Sequence, residues 1–345
     1  MGGKALSVES VRLSASRYHC FEAELLTRIR QLLPGRRIEA ILAYSSKASF
    51  GDMDVLIEGG QGFDPIAVGK ALGATEIVRN GDVTSIGIEV DDGVFQVDLI
   101  KIPAASFEFA VRYFAYNDMG NLLGRVAHKF GAKFGHLGLL YPLRDPSNSD
   151  HLIAEVMITT DFSTALTLLG YNATLYEERH ASGQFQTLDD IFQYVVSSPY
   201  VNRDIYLLDN RNYKSRTRDA KRRTYTLFLD WLKTQQGLHA YPWGAPGSVE
   251  RLTQRQSFLD VAFEAVPLFK QTYVDAMEKH DRLKRVKRYF NGDTVSALTG
   301  LSGKDLGACM RRIRESFDSD YAFETFFEMA TEVEAAEAIL IRSKQ

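Results

Sequence analysis

Cysteine is scarce in this chain, with only Cys20 and Cys309 among its 345 residues. Two cysteines cannot build a zinc knuckle or a disulfide framework, so we expect a cytoplasmic protein. No apolar run approaches membrane-spanning length, and no apolar core follows Met1–Lys4. Neither a membrane segment nor a signal peptide is therefore predicted. The net charge of −3 excludes a uniformly basic coat, so any site for a polyanion must be local.

Several common kinds of catalytic machinery are missing as well. The sequence has no glycine-rich loop of the Walker type, and no set of serine, histidine and aspartate or of cysteine and histidine that indicates a catalytic nucleophile. No internal repeat is found. With 345 residues, 45% of them hydrophobic, the chain is long enough for two or three domains with separate cores.

What the sequence does have is an unusual pair of acids. Asp52 and Asp54 lie two residues apart in the apolar run 51–57, so on a strand they point to the same face. Asp98 is the single acid in a second apolar run, 94–100. If the two strands are neighbours, the three carboxylates meet, and such a set can hold two divalent cations, most often Mg²⁺. The alternative is three solvent-facing acids on half-exposed strands.

The segments around these strands predict a sheet covered by helices. Apolar residues recur at helical spacing over 8–33, alternate over 36–44, and follow an Asp64-Pro65 helix start over 65–72. Asn80-Gly81 between 75–79 and 83–90 is typical of a hairpin turn. Residues 104–131 are predicted to be helical, and the polar stretch 145–150 to be a break. The predicted fold is α+β, with a mixed sheet and flanking helices followed by mainly helical domains.

The stretches Gly-Asp-Met-Asp-Val-Leu-Ile (51–57) and Val-Asp-Leu-Ile (97–100) resemble the palm of the DNA polymerase β-like nucleotidyltransferase superfamily. Arg-Tyr-Phe (112–114), the run 121–131 and Gly-Leu-Leu-Tyr-Pro-Leu (138–143) resemble the thumb segment of family X polymerases. The resemblance covers about residues 37–145. One departure is clear: the family has a Gly-Ser turn before the acids, whereas this chain has Tyr-Ser-Ser-Lys (44–47).

The resemblance implies a nucleotidyltransferase palm that uses two Mg²⁺ ions, with Mn²⁺ as an alternative. Asp52 and Asp54 would bind both ions, and Asp98 would bind the catalytic ion and help to deprotonate an attacking hydroxyl. The remaining residues of the predicted site would bind the NTP. Those assigned to its triphosphate are Ser45, Ser46, Lys47 and Gly51, and those on the thumb helix that would face nucleotide or template are Arg125 and Lys129.

A basic segment follows in the region 151–240, which is predicted to be mainly helical. Residues 211–225 are rich in arginine and lysine, with tyrosines at the edges, and such a segment suits a phosphate backbone and unpaired bases. The alternative is a solvated basic helix face. The predicted nucleic-acid contacts here are Arg216, Arg218, Lys221, Arg222 and Arg223.

The region 249–345 is again predicted to be helical, around the glycine-rich stretch 298–304. This stretch resembles a helix-hairpin-helix turn, and with the preceding Asn-Gly-Asp it also resembles the tail of tRNA CCA-adding enzymes. Glycines in such a turn let backbone amides approach a phosphate; the alternative is a plain connector. The predicted contacts with nucleic acid are Lys284, Arg285, Gly300, Gly303 and Lys304.

Together these features predict an enzyme that transfers an NMP from an NTP to the 3′ end of a nucleic acid, with RNA or tRNA favoured slightly over DNA. Three alternatives stay open: a nucleotidyltransferase that modifies a protein or small molecule, a template-directed family X-like polymerase, and a catalytically weak nucleic-acid-binding module. The predicted segments are a palm with an N-terminal helix (1–102), a thumb-like segment (103–150), a helical domain (151–240) and a C-terminal helical domain (249–345).

Overall fold

The computed structural model describes residues 5–60 and 63–344, so the residues that bear on the absence of a signal peptide, Met1–Lys4, lie outside it. The chain divides into two compact units. Unit 1 comprises Met1–Pro142 and Glu155–Phe269, and unit 2 comprises Leu143–Ala154 and Lys270–Gln345. The segments predicted as palm, thumb and first helical domain therefore lie mostly in one unit. In this division, residues 249–269 of the predicted C-terminal domain belong to unit 1 and the remainder to unit 2.

The strands of the described residues all lie between Leu13 and Thr159, in the first half of the chain. Their bounds are Leu13–Ser14 (β1), Ile38–Ala40 (β2), Ser49–Phe50 (β3), Asp52–Glu58 (β4), Glu76–Asn80 (β5), Val83–Val90 (β6), Gly93–Ile102 (β7), Lys133–Gly135 (β8), Gly138–Asp145 (β9) and Asn148–Thr159 (β10). The predicted hairpin at Asn80-Gly81 is confirmed, since β5 pairs antiparallel with β6 directly across it.

Helices make up most of the remainder. Their bounds are Ala15–Leu32 (α1), Pro65–Ala71 (α2), Phe107–Phe114 (α3), Met119–Lys129 (α4), Phe162–Leu168 (α5), Ala173–Ser182 (α6), Leu188–Val195 (α7), Tyr213–Ala220 (α8), Arg223–Thr234 (α9), Val249–Ala265 (α10), Pro267–Tyr289 (α11), Gly292–Thr299 (α12), Gly303–Glu315 (α13), Asp320–Met329 (α14) and Glu332–Arg342 (α15). Asp64 caps α2 as predicted, by accepting a hydrogen bond from the Ile66 amide.

The centre of unit 1 is a five-stranded mixed sheet in the order β2-β4-β7-β6-β5. β4 and β7 run parallel at its middle, and the other neighbouring pairs are antiparallel. The coarse prediction of a mixed sheet with flanking helices is thus confirmed. A smaller three-stranded sheet, ordered β10-β9-β8, follows in the chain.

Alternation along β4 separates its two faces. Met53, Val55 and Ile57 are fully buried in the core cluster that also contains Leu25 and Ile29 of α1. Leu56 lies in a second cluster, with residues of β7 and α3. Because side chains alternate along a strand, Asp52 and Asp54 share the face of Leu56 and project from the α3 side of the sheet.

Two predicted boundaries are wrong. The expected continuous helix over 104–131 breaks between α3 and α4, where Tyr116 and Asn117 have φ of 61° and 62°, a left-handed backbone that cannot continue a helix. The region expected to be helical from residue 151 begins instead with strand, since β10 extends to Thr159. The polar stretch 145–150, predicted as a break, contains the turn between β9 and β10.

Unit 2 contains most of α11 together with α12 to α15 around its own core. Phenylalanines supply much of that core, including Phe290, Phe323 and Phe327, whose rings pack 4.9–5.0 Å apart. The predicted glycine-rich turn joins α12 to α13. None of the helices within the described residues is long and apolar enough to cross a membrane.

Candidate functional site

The three predicted acids lie on the two central strands. In the parallel register of β4 and β7, Asp54 is directly opposite Asp98, and Asp52 is opposite Gln96. Gln96 Nε2 donates a hydrogen bond of 2.9 Å to Asp98 Oδ1. The sequence therefore predicted correctly that the two strands are neighbours and that the three carboxylates share one region of the sheet.

The electrostatics of these acids reflect their crowding. The pKa of Asp54 is raised to about 8, first by burial and then by the neighbouring charges of Asp52 and Asp98. Burial also raises the pKa of Asp98, against the hydrogen bonds that Ser85 and Gln96 donate to it. A carboxyl group that resists ionisation in this way lacks a sufficient counter-ion.

This shift predicts a pH dependence of stability. Between about pH 4 and pH 8 the folded protein keeps a proton on Asp54 that the unfolded chain loses, so the free energy of unfolding should decrease as pH rises through that window. We expect a decrease of about 2 kcal/mol or more in EDTA. Urea unfolding of native protein and Asp54→Asn at pH 5 and pH 8 measures it. The variant should lack the Asp54 component, and identical slopes for the two proteins would contradict the assignment.

Asp52 and Asp54 line a cleft of about 750 Å³ within unit 1. Its other walls are the segments 41–44 and 47–51, the α3–α4 corner with Tyr113, Phe114 and Asn117, and the α8–α9 corner (221–224). The cleft thus combines carboxylates, half-buried aromatic rings and cations. The cationic residues that line it are Arg12, Lys47, Lys221, Arg222 and Arg223.

Only two of the four residues predicted to bind the triphosphate line this cleft. Lys47 and Gly51 line it, and Lys47 Nζ lies 4.3 Å from the centre of the Phe50 ring. Burial lowers the pKa of Lys47, while Asp52 and Asp54 oppose that shift. Lys47 is therefore the natural counter-ion of the acids.

The two predicted serines have other partners. The Ser45 amide donates to Phe185 O at 3.1 Å, and its hydroxyl donates to Gly183 O at 3.1 Å. The Ser46 amide donates to Gln186 O at 2.9 Å. These groups join the segment before β4 to the α6–α7 loop, so the structure uses them as backbone anchors and does not leave them free for a phosphate.

Two thumb-helix residues are placed differently from the prediction. The Arg125 side chain is 10% exposed and lies 3.7 Å from Asp219, with Asn121 Oδ1 accepting from its Nη2 at 2.8 Å. The Lys129 carbonyl accepts from Arg251 at 3.3 Å. Neither residue is among those that line the cleft. Arg125 is therefore part of a buried ionic cluster and does not face an open template groove.

The basic segment is divided between two environments. Arg216 is exposed on α8, and Arg218 pairs with Asp219 at 3.2 Å. Lys221, Arg222 and Arg223, in contrast, line the cleft that Asp52 and Asp54 also line. Of the five residues predicted to contact a nucleic-acid backbone, Arg216 and Arg218 are therefore outside the cleft lining, and the other three are part of it.

In unit 2 the predicted cations are largely paired. Lys284 Nζ lies 3.1 Å from Asp145 and 3.0 Å from Ser147, and Arg285 Nε donates to Glu328 at 3.1 Å. Lys304 is exposed at the start of α13. Gly300 and Gly303 have φ of 71° and 55°, and a Cβ at either would meet nothing within 4 Å, so the turn keeps the open backbone that a phosphate contact needs.

The three acids supply the donor atoms for a divalent cation, but their side chains are not gathered around one point. In the part of the chain that the structure describes, no three His, Cys, Asp or Glu side chains already form a metal-binding group. Coordination of one ion by Asp52, Asp54 and Asp98 would require these side chains to converge further. Their chemistry nevertheless fits, because Mg²⁺ prefers carboxylate oxygens and a bound cation would offset the mutual repulsion of Asp52, Asp54 and Asp98, which raises the pKa of Asp54 after burial does.

Several cleft residues were not predicted from the sequence. Arg12 donates to Ser49 O at 3.1 Å, Asp118 accepts from Arg222, and Asn117 Nδ2 lies 3.4 Å from Thr224 Oγ1. The local sequence around each of these residues is like that around an ordinary surface residue. Only their long-range contacts identify them.

Comparison with known proteins adds no relative: no family model matches the chain, and no curated protein matches it.

Proposed function

We propose that this protein is a metal-dependent nucleotidyltransferase that binds an NTP in the cleft of unit 1. The observation that carries the proposal is the pairing of Asp54 and Asp98 on adjacent parallel strands, beside a cleft that also contains Lys47, Lys221 and Arg223. Carboxylates and cations that line one cleft suit a triphosphate with its metal ions. The resemblance of 51–57 and 97–100 to a polymerase β-like palm supports the same reaction.

In the proposed reaction, the oxygen of an acceptor hydroxyl forms a bond to the α-phosphorus of the NTP. The bond from that phosphorus to the β-phosphate bridging oxygen breaks, and pyrophosphate leaves. Asp52 and Asp54 would hold two magnesium ions, and Asp98 would hold one of them and receive the hydroxyl proton. When bound, the ions would supply Lewis-acid stabilisation of the developing negative charge.

Tyr113 and Phe114 would complete the nucleotide site. Both rings lie in the cleft wall and are half-buried, with centroids 5.3 Å apart. An aromatic face that is still accessible can stack on a base without selecting its sequence. The nucleoside would therefore lie towards the α3–α4 corner.

For the acceptor we propose the 3′ hydroxyl of a nucleic acid. The support is in unit 2, where five cations at or near the glycine turn in sequence are exposed: Lys287, Arg288, Lys304, Arg311 and Arg312. A second candidate is a hydroxyl of a protein or small molecule. It is favoured by the position of Lys221, Arg222 and Arg223 in the cleft wall, because these cations do not form a separate polynucleotide surface.

The experiment that tests the function is incubation with each α-labelled NTP and dNTP in Mg²⁺ or Mn²⁺, with RNA, with DNA and without acceptor. We expect label on RNA or DNA, dependent on the metal and abolished by EDTA. Label on the protein itself would favour the second candidate. The absence of any transfer and of any pyrophosphate release under all conditions would contradict the proposal.

A further inference from the structure

The α8–α9 corner has more positive charge in the cleft than its partners neutralise. Arg222 donates to Asp118, and this ion pair balances one of the three consecutive cations. Lys221 and Arg223 are exposed, and neither has an ion-pair partner within residues 5–60 and 63–344. Two free cations therefore lie in the same cleft wall, with Asp52 and Asp54 elsewhere in the lining.

Buried charge fixes the position of this corner. Asp219, two residues before Lys221, is fully buried and lies 3.0 Å from Arg211 and 3.7 Å from Arg125. Asp118 is the N-cap residue of α4 and Arg125 lies within that helix, so α4 makes two ionic contacts with the corner. A rigidly held corner loses little entropy when its cations bind an anion.

The amide groups at the start of α9 also lack a side-chain hydrogen-bond acceptor. Arg222 is the N-cap residue of α9, and its side chain makes no capping hydrogen bond. The first amides of α9 consequently lack the side-chain acceptor that usually satisfies a helix start. Arg223 and Thr224 of this first turn line the cleft, where an anion could supply that acceptor.

We propose that Lys221 and Arg223, rather than the turn at Ser45 and Ser46, bind the β- and γ-phosphates of the NTP, an assignment that rests on the proposed function. Both serine amides and the Ser45 hydroxyl already bond the carbonyls of Phe185, Gly183 and Gln186, and neither serine is among the residues that line the cleft. The outer phosphates carry most of the negative charge of an NTP, so they need cations that no carboxylate of the protein already neutralises. Lys221 and Arg223 line the same cleft as Asp52 and Asp54 and have no ion-pair partner within residues 5–60 and 63–344.

The test is calorimetric titration with a non-hydrolysable NTP analogue and with the matching NMP, both in Mg²⁺. The Lys221→Ala/Arg223→Ala variant should bind the NTP analogue at least about tenfold more weakly than the native protein does. Its affinity for the NMP should stay within about twofold, because the NMP lacks the two outer phosphates. The charge-preserving variant Lys221→Arg/Arg223→Lys should retain most of the NTP affinity.

The matched control is Lys70→Ala/Lys214→Ala, which removes the same charge from two exposed lysines of unit 1 that do not line the cleft. It should bind both nucleotides as the native protein does. Unchanged NTP affinity in the cleft variant, an equal loss for NTP and NMP, or an equal loss in the control would overturn this assignment alone. Failure of the native protein to bind any NTP would overturn the proposed function with it.

Discussion

Replacing Asp98 with asparagine is expected to lower nucleotidyl transfer by about a thousandfold or more, with little change in the fold. The amide has nearly the same shape as the carboxyl group, and it can still accept the hydrogen bond from Gln96 Nε2. It cannot take the proton from the attacking hydroxyl, and it gives the metal a neutral ligand. Because burial already raises the pKa of Asp98, removing its charge should not lower stability.

A control on the same sheet separates this effect from a general loss of acidic charge. Glu58 is at the opposite end of β4, where it pairs with Arg37 at 2.8 Å, outside the cleft lining. Glu58→Gln should keep turnover within about threefold of native. Turnover of that size in purified, folded Asp98→Asn would remove the acids from the mechanism.

The second large effect concerns the buried ionic cluster that Asp219 forms with Arg211 and Arg125 next to the α8–α9 corner. Asp219→Leu should lower the free energy of unfolding by about 3 kcal/mol or more, because it leaves buried arginines without their carboxylate. The side chains of Arg211 and Arg125 are only 9% and 10% exposed, so water cannot replace the lost charge. Arg211 Nη2 lies 3.0 Å from Asp219 Oδ2 without an aligned hydrogen bond, and the contact is therefore mainly electrostatic.

Urea unfolding of Asp219→Leu and of Asp230→Asn measures this difference. Asp230 pairs with Lys233 on the surface of α9, where both side chains are at least 69% exposed, so its loss should cost no more than about 0.5 kcal/mol. Equal unfolding midpoints for the two variants would show that the cluster does not hold the corner.

Local patterns in the sequence predicted the acid strands correctly for a physical reason. Side chains alternate strictly along a strand, so Asp52 and Asp54 had to share a face once β4 formed, and the apolar run around Asp98 predicted a neighbouring central strand. The Asp64 cap of α2 and the Asn80-Gly81 turn are also decided by a few adjacent residues. Such features need no knowledge of the rest of the chain.

The rest of the site depends on contacts between distant residues. The partner of the Ser45 hydroxyl is 138 positions away, and Lys284 binds Asp145 across 139 positions. No periodicity within either segment encodes these pairings. For the same reason, the sequence identified Lys221, Arg222 and Arg223 as a basic segment but could not place them in the wall of the cleft that Asp52 and Asp54 line.

The most direct test of the account is metal-dependent binding of NTP at the acids. Titration of a non-hydrolysable NTP analogue into native protein and Asp54→Asn, each in Mg²⁺ and in EDTA, measures it. We expect native protein to bind in Mg²⁺ and to lose at least about tenfold in affinity in EDTA, whereas Asp54→Asn should bind weakly in both. Equal affinity of both proteins with and without the metal would contradict the central claim that Asp52, Asp54 and Asp98 form a metal–nucleotide site.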